Sequence, residues 1–403
     1  MRRLGSRAGL TLLGITIAVV ALAASAAAQT RSAHASPIVI GWAYDGSGSG
    51  PMAPFDGPAL AAAKIRVAQV NAKGGVGGRP LEIITCNTQG DKPAISKACA
   101  LKLIGQGANV IFTTCDVDLA APVVQEAINR GILTVAPCIG TDQMGPKRFG
   151  AAGKLAFSFG NVAQDEGSAM AQYAWGRGWR SAALATDSVI TYFKNITAAF
   201  KARWLQLGGK IVDEETYQDP TFGGNNVQNV VSRLGNVKAD VIVTSTAGAY
   251  GALGPFITGL RTLGDNTPIL NSWAGDGNYW LPKSPPVTNY YFVTYASVFG
   301  DDPNPAIDKL AKQVHAGTGG FITGSAAIDG VVTAINRAHG STTGSTLAGV
   351  MEKFNKVPTL SGLVSFSPTL HTVFGRQYRV VKIQDNKPHV VAEVVAKVVV
   401  KIG

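Results

Sequence analysis

The feature that most constrains this chain is an alternation of short apolar runs with longer helical stretches, which starts near residue 37 and restarts after residue 160. In the first round, residues 38–43, 81–85, 110–114 and 132–136 read as strands. Residues 58–71, 93–104 and 121–130 between them read as helices, the first with Leu60, Ala63, Val67 and Val70 at spacings of three and four. The glycine-rich stretch 73–78 ends that first helix. In the second round, strands are expected at 181–185, 210–213, 241–244 and 268–271. Helices are expected at 165–176, 192–207, 227–234 and 252–263. Near-continuous apolar strands joined by helices predict parallel sheets covered on both faces. Two rounds predict an α/β chain of two doubly wound parallel-sheet lobes. The pieces from residue 291 onward are too few for a third domain and are expected to return and complete both lobes.

Residues 1–35 read as a secretory signal peptide. Arg2, Arg3 and Arg7 precede an apolar stretch at 10–24, and small-residue cleavage patterns end at Ala28 and Ala35. The alternative is an uncleaved membrane anchor. No other apolar stretch is long enough to suggest a multispanning protein. No Cys precedes Cys86, so a lipid-anchored cysteine is not expected, and the mature chain is placed in the periplasm. Without the leader, 32 basic residues stand against 25 acidic ones, scattered rather than clustered. That argues against a nucleic-acid partner. Four cysteines in an exported chain suggest two disulfides, with buried free thiols as the alternative.

Chemistry is hard to find. The loop 45–51 follows a strand and is rich in glycine, but it lacks the ending of a phosphate-binding loop. There is no G-x-S-x-G, the five histidines are scattered, and none forms H-x-x-x-H. No catalytic residue, cofactor or metal is expected, and the chain is not read as an enzyme. Open α/β sheets instead bind ligands beyond the C-terminal ends of their strands. The residues placed there are Phe55; Asp116 and Asp118; Ile139, Gly140 and Thr141; and Tyr192, Tyr250 and Trp273. Either Asp could cap the following helix instead of facing a ligand. Each aromatic taken singly could be core, but their recurrence at three successive strand ends suits a stacking wall.

These features together resemble the type I periplasmic solute-binding proteins of ABC transporters, in the branched-chain amino acid receptor branch. The resemblance covers nearly the whole mature chain. It rests on the strand Ile38-Val39-Ile40-Gly41, on Gly50-Pro51, on the run from Val70 through Asn71-Ala72-Lys73-Gly74-Gly75-Val76-Gly77-Gly78 to Leu81, and on Asp91. Further on, it rests on Gly131-Ile132-Leu133 with Ala136-Pro137, Leu207-Gly208-Gly209-Lys210-Ile211-Val212, and Ala239-Asp240-Val241-Ile242-Val243. The resemblance implies two lobes joined by a three-stranded hinge, with crossovers near 157–159, 291–294 and 364–367. Lobe 1 would then be 36–157 with 293–363, and lobe 2 would be 158–292 with 364–403. It also implies a small organic solute closed into the interlobe cleft, handed by a monomer to an ABC permease in the inner membrane. The alternative partner is a signalling protein.

The chain departs from the family where amino acids are held. The family's carboxylate-binding hydroxyls follow the third and fourth strands; here those loops read Asp116-Val117-Asp118 and Cys138-Ile139-Gly140 before Thr141. The family's acidic group for the ammonium falls near Trp273, with Asp276 three residues on. An Asp about 4 Å from a ligand carboxylate would repel it by on the order of 4 kcal/mol. A solute with a flat or apolar body and hydrogen-bond donors therefore fits better than a zwitterionic aliphatic amino acid. Cys115 and Cys138 lie just past the third and fourth strands, neighbours in a 2-1-3-4-5 sheet, so they are expected to pair. Cys86 and Cys99 remain for the second bridge.

Overall fold

The computed structural model describes residues 36–402. The expected leader and its cleavage site lie outside the described residues. The strands are β1 (Ile38–Tyr44), β2 (Leu81–Asn87), β3 (Val110–Phe112), β4 (Leu133–Ala136) and β5 (Ala156–Asn161), then β6 (Ser181–Asp187), β7 (Lys210–Tyr217), β8 (Val241–Ser245), β9 (Ile269–Asn271) and β10 (Tyr290–Thr294). Five more follow: β11 (Val357–Thr359), β12 (Gly362–Val364), β13 (Thr372–Val373), β14 (Tyr378–Gln384) and β15 (Lys387–Val394). The first sheet has the order β13-β5-β4-β3-β1-β2, and its strands run parallel. The second has the order β15-β14-β10-β9-β8-β6-β7. Strands β3, β4, β8 and β9 are buried along their whole length, as parallel strands covered on both faces must be.

The second sheet is mixed rather than wholly parallel. β14 runs antiparallel to β10, and β15 runs antiparallel to β14. Asp385 and Asn386 join these last two strands with φ of 54° and 59°, the left-handed pair that a two-residue hairpin requires. β15 alternates exposed and half-buried residues along the sheet edge, so it lacks the apolar run that marks the parallel strands.

The chain passes between the sheets three times. It leaves the first after β5, leaves the second after β10, and crosses again between β13 and β14. The last passage comes later than the expected 364–367, because β13 pairs with β5 at the edge of the first sheet. The first comes after the expected 157–159, because β5 continues to Asn161 as a strand of the first sheet. The helix Ala53–Ala72 also starts earlier than residue 58. Pro58 sits near its beginning, where the carbonyl it leaves unpaired is that of Pro54. The late helix Phe321–Arg337 packs on it and so rejoins the first lobe.

Two disulfides hold the first lobe. Cys86, in β2, pairs with Cys99 on the helix Pro93–Gly105, Cα atoms 5.5 Å apart. Cys115 and Cys138 join the loops after β3 and β4 at 4.8 Å. Among the described residues, no helix is long and apolar enough to cross a membrane.

Candidate functional site

Loops at the C-terminal ends of β1, β3, β4, β6, β8 and β9 converge on one cavity between the lobes. Met52, Phe55, Cys115, Asp116 and Gly140 line it from the first lobe. Ile190, Tyr192, Phe193, Ala247, Tyr250, Trp273 and Ala274 line it from the second. The lobes are drawn together, leaving about 20 Å³ for the centre of a water-sized sphere, roughly one water's worth of room.

Aromatic rings make a continuous chain here. Phe55 meets Trp273 edge-on at 5.2 Å, Trp273 lies 6.1 Å from Tyr192, and Tyr192 lies 5.8 Å from Phe193. Phe193 lies 6.0 Å from Tyr250. Gly140 is required for this closure: a Cβ there would come within 2.5 Å of the Tyr192 ring. The apolar residues of the first-lobe wall, Met52, Phe55 and Cys115, and Cys138 bonded to Cys115, belong to the same hydrophobic cluster as the core of the second lobe. The lobes thus meet through a largely dry contact.

The polar groups of the first-lobe wall are bonded within their own lobe or to backbone. Buried Asp56 accepts hydrogen bonds from the backbone N–H groups of Asp45 (2.8 Å) and Cys115 (3.1 Å). Asp116 accepts from the N–H groups of Asp118 (2.9 Å) and Leu119 (3.1 Å), so it caps the helix Val117–Ile128 while its carboxyl lines the cavity. Burial pushes its pKa up to about 7, the charge of Asp118 adds to this, and its two backbone bonds and Arg148 oppose it.

Asp118 has a different task. It pairs with Arg148 at 2.6 Å and accepts the N–H of Thr191 at 3.0 Å, the first residue of the second-lobe helix Thr191–Gln206. Burial pushes its pKa up, but the Thr191 and Arg148 bonds outweigh it and hold the carboxyl below its ordinary value. It is a bridge between the lobes.

In the second lobe, a single buried carboxyl organises the wall. Glu166, on the helix Ala163–Gly176, accepts from the Tyr192 hydroxyl at 2.9 Å and from the Trp273 backbone N–H at 2.8 Å. Burial pushes its pKa up to about 8, against the pull of those two bonds. The Tyr250 hydroxyl and Trp273 Nε1 are buried without a hydrogen-bond partner.

Of the nine residues expected at a site, Phe55, Asp116, Gly140, Tyr192, Tyr250 and Trp273 line this one cavity. Asp118, Ile139 and Thr141 are not among its lining residues. The Ile139 carbonyl accepts from Ser158 Oγ, and Thr141 Oγ1 accepts from the N–H of Gln143. Sequence reasoning missed Glu166. Its only local signal is a place in the first turn of a helix, where acidic residues are common. Met52, Ile190 and Ala247 carry no distinguishing signal. Phe193 does: it adjoins Tyr192 in the first turn of the helix Thr191–Gln206. Among the described residues, no group of three or more His, Cys, Asp or Glu is placed to hold a metal ion.

A family model described as "periplasmic binding protein" matches residues 37–388. The Leu/Ile/Val-binding protein BraC3 of Rhizobium johnstonii is 23% identical over 329 residues, covering 80% of this chain and 85% of that protein. The branched-chain amino acid transporter substrate-binding protein LivJ of Streptococcus pneumoniae, solved in complex with isoleucine, superposes with a TM-score of 0.72 at 18% identity. It covers 89% of this chain and 99% of its own. A solute-binding protein of an ABC transporter from Rhodopseudomonas palustris, solved with 3,4-dihydroxybenzoic acid, gives a TM-score of 0.71 at 17% identity. It covers 90% of this chain and 98% of its own.

Proposed function

The chain belongs to the periplasmic binding protein family, and we propose that it is the extracytoplasmic receptor of an ABC importer, a monomer in the periplasm that captures a small organic solute and presents it to a permease. The observation that carries this reading is the cavity itself, whose two walls come from two lobes joined by three chain passages. A solute touching both walls gains contacts only when the lobes meet. It therefore shifts an open–closed equilibrium by its differential affinity for the two states. The hinge lies in the segments between β5 and β6, after β10, and between β13 and β14. The Asp118 carboxylate on the N-terminus of the Thr191–Gln206 helix supports the closed state, where a negative charge is favoured by the helix dipole. Phe55, Asp116, Gly140, Tyr192, Tyr250 and Trp273 are the proposed solute contacts, with Ile139, Thr141 and Asp118 shaping or bridging the loops around them. After β3 the cavity is lined by Cys115 and Asp116 rather than by the hydroxyls of Thr113 and Thr114, and this, with the aromatic wall opposite, favours a solute with a flat or apolar body.

The test is a thermal-shift screen of the exported, full-length protein against amino acids, amides, amines and aromatic acids, with small-angle scattering on every hit. A true solute at about 100 times its Kd is expected to add about 2.7 kcal/mol of stability and to reduce the radius of gyration. Hits that leave the radius unchanged, or a bound solute recovered chemically altered, would overturn the reading.

A further inference from the structure

We infer that the cavity selects an organic cation, a small ammonium-bearing solute with an apolar or flat body, and discriminates against solutes that carry a carboxylate. This rests on the solute-receptor reading of the cavity and names the solute class it takes. Phe55, Tyr192, Phe193, Tyr250 and Trp273 bring five aromatic rings to one small volume. Aromatic faces attract a desolvated cation through the ring quadrupole, Trp most strongly, and clusters of such rings are how proteins hold alkylammonium groups. No Lys, Arg or His lines the cavity, and its one ionisable carboxyl is that of Asp116.

Three first-lobe backbone donors that could have cradled an anion are already taken. The N–H of Cys115 goes to Asp56. The N–H groups of Asp118 and Leu119, at a helix N-terminus that would otherwise suit a carboxylate, go to Asp116. An incoming carboxylate would meet Asp116 with no cation on the cavity wall, the nearby Arg148 being already paired with Asp118. An incoming ammonium would meet a counter-charge and rings. The Tyr250 hydroxyl can accept from that ammonium, and Trp273 Nε1 can donate to an oxygen elsewhere on the same solute; both are buried without a partner of their own.

Proton linkage gives the inference a second readout. The groups that bear on the Asp116 carboxyl are Asp118, Arg148, the Tyr250 hydroxyl and the N–H groups of Asp118 and Leu119. With its pKa near 7, Asp116 is partly protonated at neutral pH. A bound cation favours the ionised form, so binding should release protons and tighten as pH rises from 6 to 8.

The experiment compares three solutes with the same ring and nearly the same length by isothermal titration: phenethylamine, 2-phenylethanol and 3-phenylpropanoate. Choline, isoleucine and 3,4-dihydroxybenzoate are added. Phenethylamine is expected to bind at least tenfold more tightly than the alcohol and a hundredfold more tightly than the carboxylate, with net proton release at pH 7. D116N keeps a capping side chain. It is expected to cost phenethylamine about tenfold and to flatten its pH dependence, while costing 2-phenylethanol far less. Tighter binding of 3-phenylpropanoate, isoleucine or 3,4-dihydroxybenzoate than of either cation, with lobe closure, would overturn the inference and leave the receptor reading standing. Cation affinity independent of pH in the wild-type protein would also overturn it, whether or not D116N folds. Closure with no solute at all would take down both.

Discussion

The two walls of the cavity are built on opposite plans. On the first-lobe side, backbone N–H groups are consumed by buried carboxyls, Asp56 and Asp116, and the two loops are tied by Cys115–Cys138. The wall is a frame with few side-chain tips to offer. On the second-lobe side, aromatic rings project from three strand ends, one carboxyl behind them holds Tyr192 and Trp273, and the tips of Tyr250 and Trp273 stay unpaired. That wall is mostly contact surface. On the proposed reading, the first lobe supplies preorganisation and the one carboxyl, while the second supplies most of the contact area.

The largest expected break of this comparison comes from Trp273→Ala. Trp273 touches Phe55, Tyr192 and Tyr295 and is 4% exposed, so its removal opens a cavity at the lobe interface. Truncations of this kind cost about 3–5 kcal/mol. Urea unfolding should show that loss, and titration should show solute binding weakened beyond detection. Retained affinity would mean that the aromatic wall is core rather than contact.

Next comes the carboxyl behind the wall. Glu166 is raised from about 4.5 to about 8 chiefly by burial. Between those values the native state keeps a proton that the unfolded chain has released. Its contribution to stability is therefore full below pH 4.5 and is lost as pH climbs through 8, at about 1.4 kcal/mol per unit of raised pKa. Glu166→Gln keeps an acceptor for Tyr192 and Trp273 but cannot ionise. Its stability should decline less steeply than wild type over that window in pH-stepped denaturation. Parallel wild-type and variant slopes would show that Glu166 is not the proton holder.

The smallest difference is between the two disulfides. Replacing either pair by Ser should cost about 3 kcal/mol, and the 23-residue separation of Cys115–Cys138 exceeds the 13 of Cys86–Cys99 by only about 0.5 kcal/mol in loop entropy. Affinity should separate them: only the Cys115/Cys138 variant frees the loops that line the cavity. Equal affinity losses would remove the distinction between frame and remainder in the first lobe.

Much of this molecule was legible as a string. Most of the parallel strands in the two sheets declare themselves as short apolar runs, and the rule that open sheets bind at their C-terminal ends picked six of the cavity's residues before any coordinate. The rest was hidden for identifiable reasons. β13 has two residues and no apolar run, so its place in the first sheet depends on a partner some 200 positions earlier in the chain, β5. β15 shows a solvent-edge pattern rather than a buried one.

Asp116 and Asp118, two residues apart, looked interchangeable. The fold gives one to the helix cap and cavity and the other to a bridge whose second partner, Thr191, is 73 residues away. Glu166 reaches Trp273 over 107 residues. Sequence periodicity determined the alternating strands and helices of the two parallel regions and the strand ends where a site would form, because those follow from local backbone geometry and from burying the apolar faces of each element. The tertiary structure alone decided which carboxyl lines the cavity, which ties the lobes and which is buried behind the wall. Each of those outcomes depends on burial and on partners brought close only by folding.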